Sequence, residues 1–173
     1  MNPIKLYHLS EEPNIKVFEP RPSPSHYGEI NADVVFVVSD KFLYNYLLPR
    51  DCPRVTYYVN NNSSQEDINT FMGQKGADYV VTVESKWKSD INGTTLYCYE
   101  FLSEGFLLLD ENAGYYISYK SITPISVRTI TNLQKELSDR NVELRYIPSL
   151  FDLAERIQQS TLSFSLIRMR NAS

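Results

Sequence analysis

Three places along the chain carry side chains able to do chemistry. The first is His8, in an alternating segment at residues 4–9. An imidazole that titrates near neutrality and is held on a rigid strand can donate to a ligand hydroxyl or carbonyl. Its plainer role is a satisfied histidine beside the core. The second is the run Pro-Arg-Asp-Cys-Pro-Arg at residues 49–54. Arg50 and Arg54 can each grip a phosphate or carboxylate through two parallel bonds, and Asp51 can orient one of them. Arginine and aspartate in one loop also pair simply to order it. The third is the tail, where Arg168 and Arg170 project to one side of an extended segment and suit either a phosphate clamp or a solvated edge.

Cys52 has arginines near enough to lower its pKa, but a nucleophile also needs a partnered base, and none is visible. A buried structural thiol is the better reading. His8, His26, Cys52 and Cys98 are too few and too scattered for a zinc site, and no metal is expected. The glycines form neither a Walker loop nor a dinucleotide fingerprint, so nucleotide phosphates would meet side chains rather than a glycine cradle. No Gly-x-Ser-x-Gly elbow occurs, and ordinary hydrolase and kinase chemistry loses support. Tyrosine is abundant, with adjacent pairs at Tyr57-Tyr58 and Tyr115-Tyr116. Neighbours on a strand point oppositely, so some of these rings are half exposed. They can stack on a planar ligand or, more plainly, pack with a wet hydroxyl.

These residues need a scaffold. Residues 34–38 are an apolar run of the kind buried on both faces of a sheet, and residues 55–59 are a second. Between them Asp40 can cap a helix over 41–48 that Pro49 ends. Strands are also expected at 4–9, 79–83, 95–101, 115–119, 125–130 and 142–147. Helices are expected from Ser64, which forms a capping box with Asp67, to about Gly73; from Thr131 to Leu137, closed by Asn141; and from Ser149, which forms a second box with Asp152. Asn92-Gly93 predicts a hairpin turn between extended segments. Residues 10–31 are proline-rich and read as a covering loop pinned by Ile15, Val17 and Phe18. The tail is expected to be extended.

At 173 residues, with no linker or repeat, the chain suits a single domain over 1–173 that buries roughly 70% of its unfolded surface. The class is α+β: a mixed or split central β-sheet with short helices packed around it. A net charge of -4 argues against wrapping bulk nucleic acid, because that affinity comes from neutralised phosphates. Apolar runs fall far below the roughly 18 residues of a membrane span, and residues 1–5 lack a signal-peptide core. Two cysteines without framework spacing suit a reducing compartment, so the expectation is a cytoplasmic protein without membrane partners.

Leu6-Tyr7-His8-Leu9-Ser10-Glu11, Phe18-Glu19-Pro20-Arg21, the 49–55 loop, Val142-Glu143-Leu144-Arg145 and residues 160–172 resemble a bacterial family defined only as a domain of unknown function. That resemblance covers nearly the whole chain and implies no activity. Tyr7-His8 in the first strand, Val-Val-Ser-Asp before a helix, and Tyr115-Tyr116-Ile117-Ser118-Tyr119 followed by Ile122-Thr123-Pro124 are similar in order and spacing to the ADP-ribosyltransferase-like fold. This second resemblance implies NAD as substrate, clamped in a cleft between two sheet halves, and a triad of histidine, tyrosine and glutamate. His8 matches the histidine, on the nicotinamide ribose. The tyrosine position is Phe36 or Val37, the glutamate position is Tyr115 or Gly114, and Glu111 is out of register. Without that carboxylate, charge developing on the ribose loses its electrostatic partner.

Three functions follow. The first is a transferase-like enzyme acting on NAD or a related phosphorylated ribose, with His8 on the ribose, Arg50 and Arg54 on phosphate, and Phe36 or Tyr115 stacking on the base. The second is a nucleotide- or phosphate-binding module without turnover. The third is a protein-interaction domain, a homodimer through its tyrosine-rich surface included. The first two rest on His8 and the loop arginines converging on one hollow.

Overall fold

The computed structural model describes residues 4–23, 30–73 and 76–173, so His26 and the first three residues lie outside the described residues. Ten strands run in chain order among them: β1 (Lys5–Ser10), β2 (Val35–Ser39), β3 (Arg54–Tyr58), β4 (Tyr79–Glu84), β5 (Leu96–Leu102), β6 (Leu107–Asp110), β7 (Tyr115–Ser118), β8 (Ser126–Ile130), β9 (Val142–Ile147) and β10 (Ser163–Ile167). The α-helices are α1 (Gln65–Asp67), α2 (Lys88–Gly93), α3 (Leu133–Asp139) and α4 (Phe151–Gln158). The class is α+β with the sheet split in two. One compact unit comprises Met1–Leu43 and Thr95–Ile130, the other Tyr44–Thr94 and Thr131–Ser173. Each has its own sheet, and neither is one contiguous segment.

In the first unit the strands lie in the order β6-β7-β2-β1-β5-β8 with every pair antiparallel, so this sheet is not mixed. Alternation puts Leu6, Val35, Val37, Tyr99 and Phe101 on one face, where Phe18 packs over them. The covering segment is held by backbone pairing of Phe18 with Ile122 and by the Tyr99 hydroxyl. That hydroxyl donates to the Glu12 carbonyl at 2.8 Å and accepts from the Ile15 N–H at 3.0 Å. Val17, expected to help pin the segment, instead faces solvent. Ahead of β7, Gly114 has φ 67°, and its carbonyl takes the Ser39 N–H at 2.8 Å. A Cβ there would lie 2.3 Å from Ser39 Oγ, so this turn requires glycine.

The second unit is the mixed one, in the order β10-β3-β4-β9, with β4 and β9 parallel and the other pairs antiparallel. Val55, Tyr57 and Val80 on one face pack against Phe71, Met72, Leu150 and the Ala154–Ile157 side of α4. Leu150, Leu153, Ala154 and Ile157 recur at three- and four-residue steps, and that stripe is the face that docks.

Several local expectations are corrected. Asn92-Gly93 makes no hairpin: residues 85–93 are helical, Ile91 is buried, and Thr94 N–H closes α2 on the Asp90 carbonyl at 2.9 Å. An Asn-Gly turn needs extended chain on both sides, and β4 has already ended. The segment Asp40–Tyr46 is 3₁₀ rather than α-helical, the tighter form common in short connectors. Asn132, not Thr131, caps α3, accepting the Lys135 N–H at 2.9 Å. Neither capping box closes. Ser64 does accept the Asp67 N–H at 3.2 Å, but the Asp67 carboxylate turns to Thr161, 2.7 Å from its N–H. Ser149 donates its hydroxyl to the Ser173 carbonyl at 2.8 Å, and Asp152 pairs with Arg156.

Candidate functional site

His8 stands on β1, a central strand, half-buried, with Phe18 edge-on to its ring at 5.0 Å between centroids. Its Nδ1 is 2.9 Å from the Phe36 carbonyl. A carbonyl can only accept, so Nδ1 carries the proton and Nε2 is the acceptor nitrogen of the neutral ring.

Register decides what can share a site with it. Tyr7 pairs with Val38, which pairs with Tyr115, so Tyr7, Phe36, Val38 and Tyr115 point to one face. His8 is offset by one residue and points to the other, with Val37 and Tyr116. Phe36 and Tyr115 do meet, edge to face at 4.9 Å, but across the sheet from the imidazole. The expected division, histidine on the ribose and Phe36 or Tyr115 on the base, is therefore not built on one face. Tyr116 and Tyr97, both half-buried, share the side of His8 with the buried Tyr99 and Phe101.

The loop arginines lie in the second unit, where their roles separate. Arg54 is 2% exposed. Its Nε donates to the Cys52 carbonyl at 2.9 Å and Nη1 to that of Asn45 at 2.8 Å. Nη2 donates to Pro49 at 2.9 Å and Cys52 at 2.6 Å, with Arg50 at 3.4 Å. Its donors are committed to backbone carbonyls, so the expected phosphate grip by Arg54 is corrected to a structural one. Burial lowers its pKa to about 10, which still leaves it protonated at neutral pH. Arg50 and Asp51 are exposed on the outside of the loop. Cys52 is fully buried and faces the Pro53 carbonyl at 3.5 Å, and burial, with Arg54 pulling the other way, pushes its thiol up to about 12. It is a structural thiol.

The structure brings the tail to this loop. Ile167 pairs with Arg54, and Asn171 Nδ2 donates to the Asp51 carbonyl at 2.8 Å. The tail is extended only to Ile167. Arg168 has φ 56° and Arg170 lies in a 3₁₀ turn, so the two do not project as alternate residues of one strand. Lys86, just past β4, joins the same end of the sheet, with Nζ 3.1 Å from buried Glu84 and 2.7 Å from Ser173 Oγ. Burial alone would raise the Glu84 pKa, but the Ser173 N–H, Lys86 and the Leu150 N–H outweigh it and hold the carboxyl below its ordinary range.

Other polar groups are structural. Arg145, outside every expectation for the site, closes the turn after α1 by donating to the Phe71 and Met72 carbonyls at 2.6 and 3.0 Å and to the Tyr57 hydroxyl at 3.0 Å. Tyr79 lies between Tyr44 and Tyr58, in tilted contact with ring centroids 4.3 and 5.2 Å away, and burial raises the Tyr44 and Tyr79 pKa values. A groove of about 530 Å³ along α2 and α3 is lined by Asn92, Asn132, Gln134 and Lys135 and contains none of the candidate residues. Among the described residues no three His, Cys, Asp or Glu side chains lie together as a metal-binding group, and no helix is long and apolar enough to cross a membrane.

A family model described as a family of unknown function, DUF6886, matches residues 7–172. The chain belongs to that family. No curated protein and no solved structure matches it. The DUF6886 match spans His8, the 49–54 loop and both tail arginines, and brings no activity with it. Lys86 is the residue near the candidate positions that sequence reading missed, and Tyr116 stands out there only as one of an adjacent pair. Alternation marked Tyr115 and Tyr116 as facing opposite ways, but only the pairing of β2 with β7 says which shares the face of His8.

Proposed function

We propose that this DUF6886 chain is a cytoplasmic, ADP-ribosyltransferase-like protein that binds NAD or a related phosphorylated ribose, with His8 on a ribose hydroxyl. One observation carries the reading: the Nδ1 bond of His8 to the Phe36 carbonyl, 2.9 Å long, on a central strand. It fixes the tautomer of the neutral ring in which Nε2 is the acceptor nitrogen, the kind of atom a ribose O–H requires. Tyr116 and Tyr97 supply aromatic surface on the same side. Cys52 and Cys98, both buried and not joined in a disulfide, fit a reducing compartment.

Binding rather than rapid transfer is the core of the proposal. The position that the resemblance gives to the glutamate is Tyr115 or Gly114. A missing electrostatic partner of this kind costs about 3 kcal/mol, more than about 100-fold in rate. The test is calorimetric titration of NAD and ADP-ribose into the wild-type chain and His8→Ala, with chromatography of released nicotinamide. Saturable binding that weakens about three- to tenfold in the variant is expected. Undiminished binding in His8→Ala, or none in the wild type, would remove His8 from the site. A phosphate-binding module without turnover is the second reading, favoured by the basic end of the second sheet.

A further inference from the structure

We propose that the end of the second sheet, where β3 begins and β4 and β10 finish, binds a phosphate dianion, free or as the terminal group of a nucleotide, through Arg50, Arg168 and Arg170. All of these groups lie in the unit Tyr44–Thr94 with Thr131–Ser173, so the inference does not depend on His8.

The backbone assembles the site. Pairing of Ile167 with Arg54 makes Arg168 leave β10 directly beside the first residue of β3, and the Asn171 bond to the Asp51 carbonyl ties the following turn to the loop. Beneath them Arg54 fixes the loop from inside through its bonds to four carbonyls. Those acceptors are neutral, so a buried positive charge remains at the base of the site without a carboxylate bonded to it.

Two features are unfavourable in the chain by itself. Arg168 lies close enough to Arg54 for the like charges to oppose each other, and its backbone is at φ 56°, a conformation costly for a side chain of this size. An anion docked over Arg168 would offset the first and supply a reason for the second. Of the nearby negative groups, Glu84 is buried and already engages Lys86 and the Ser173 N–H, Cys52 is a neutral thiol, and Asp51 acts on Arg54 from the exposed side of the loop beside Arg50, where three arginines outnumber it. Arg50 and Arg170 are exposed, each one residue from the Asn171 bond to the Asp51 carbonyl. Three forked donors suit the several oxygens of a phosphate dianion better than the two of a carboxylate.

The test is calorimetric titration of inorganic phosphate, pyrophosphate and ADP into the full chain at matched ionic strength, with sodium chloride as control. Arg168→Gly is the informative variant: it removes the cation while glycine tolerates the left-handed backbone, so the melting temperature is expected to hold or rise. Pyrophosphate affinity is expected to fall about tenfold or more in Arg168→Gly and in the double variant Arg50→Ala with Arg170→Ala. Tighter binding of ADP than of pyrophosphate would assign the phosphate to a nucleotide, and equal or weaker binding would assign it to the free ion. A silent wild-type titration, or undiminished affinity in both variants, overturns the proposal. Phosphate binding that survives where NAD fails to bind would remove the ribose reading and leave this site in place.

Discussion

Replacing Arg54 tests whether a buried guanidinium holds the 49–54 loop. Five hydrogen bonds run from it to four carbonyls, but they are not equivalent. The Pro49 carbonyl also accepts the Cys52 N–H at 3.1 Å, and the Arg50 contact is long at 3.4 Å. In Arg54→Met the carbonyls of Asn45 and Cys52 therefore bear the loss. A buried acceptor left without a donor costs about 1–3 kcal/mol, so the two together cost about 2–6 kcal/mol. Removing a desolvated cation offsets part of this, and a net loss of about 3 kcal/mol is expected, a large share of the stability of a small protein. Arg54→Lys, whose single ammonium cannot span the fork, should fall between the variant and the wild type. Urea unfolding followed by the fluorescence of Trp87, the single tryptophan and a residue of the same unit, reads the change. The midpoint should drop with the slope unchanged. An Arg54→Met protein within about 0.5 kcal/mol of wild type would refute the reasoning, because a change that small belongs to an ordinary surface substitution.

Two further outcomes follow from the geometry. Gly114→Ala would hold alanine at φ 67° with its Cβ 2.3 Å from Ser39 Oγ and 2.5 Å from the Phe42 ring, and should lose about 2–4 kcal/mol by thermal unfolding; a melting temperature equal to wild type would show the turn to be tolerant. The Glu84 carboxyl has a folded pKa below its ordinary 4.5, so the stability it contributes is present above that value and is lost as the pH falls through the folded one. The urea midpoints of wild type and Glu84→Gln should accordingly differ most at neutral pH and converge on acidification, and a gap that stays constant would remove Glu84 from the acid response.

Elements whose side chains are sorted by burial were legible in the sequence. The alternation of β1 and β5 and the valine runs of β2 and β4 follow from which residues the sheet faces exclude from water, and that pattern is local. What failed depended on partners far along the chain. Asp67 looked like the second half of a capping box, but Thr161 offers it a backbone N–H and a hydroxyl that Ser64 cannot match. Asn92-Gly93 is a hairpin signal only if a strand precedes it, and the burial of Ile91 favours a helix there instead. Similarly, no composition shift marks the two units, because each draws on two separated segments and no linker lies between them.

The site shows the same limit in sharper form, because Arg50 and Arg54 are chemically identical and differ only in where the backbone puts them. A tight loop with two prolines lacks two backbone donors while keeping all its carbonyls, so it holds more acceptors than it can satisfy. An arginine at the first position of the following strand can turn inward and bond several carbonyls at once, as Arg54 does with four. Two prolines each followed by an arginine therefore point to one structural and one exposed guanidinium rather than to two ligands. The structural one still matters electrostatically. Carbonyl dipoles satisfy its hydrogen bonds without cancelling its charge, so Arg54 keeps the loop positive from within while Arg50, Arg168 and Arg170 are left to make any contact with an anion.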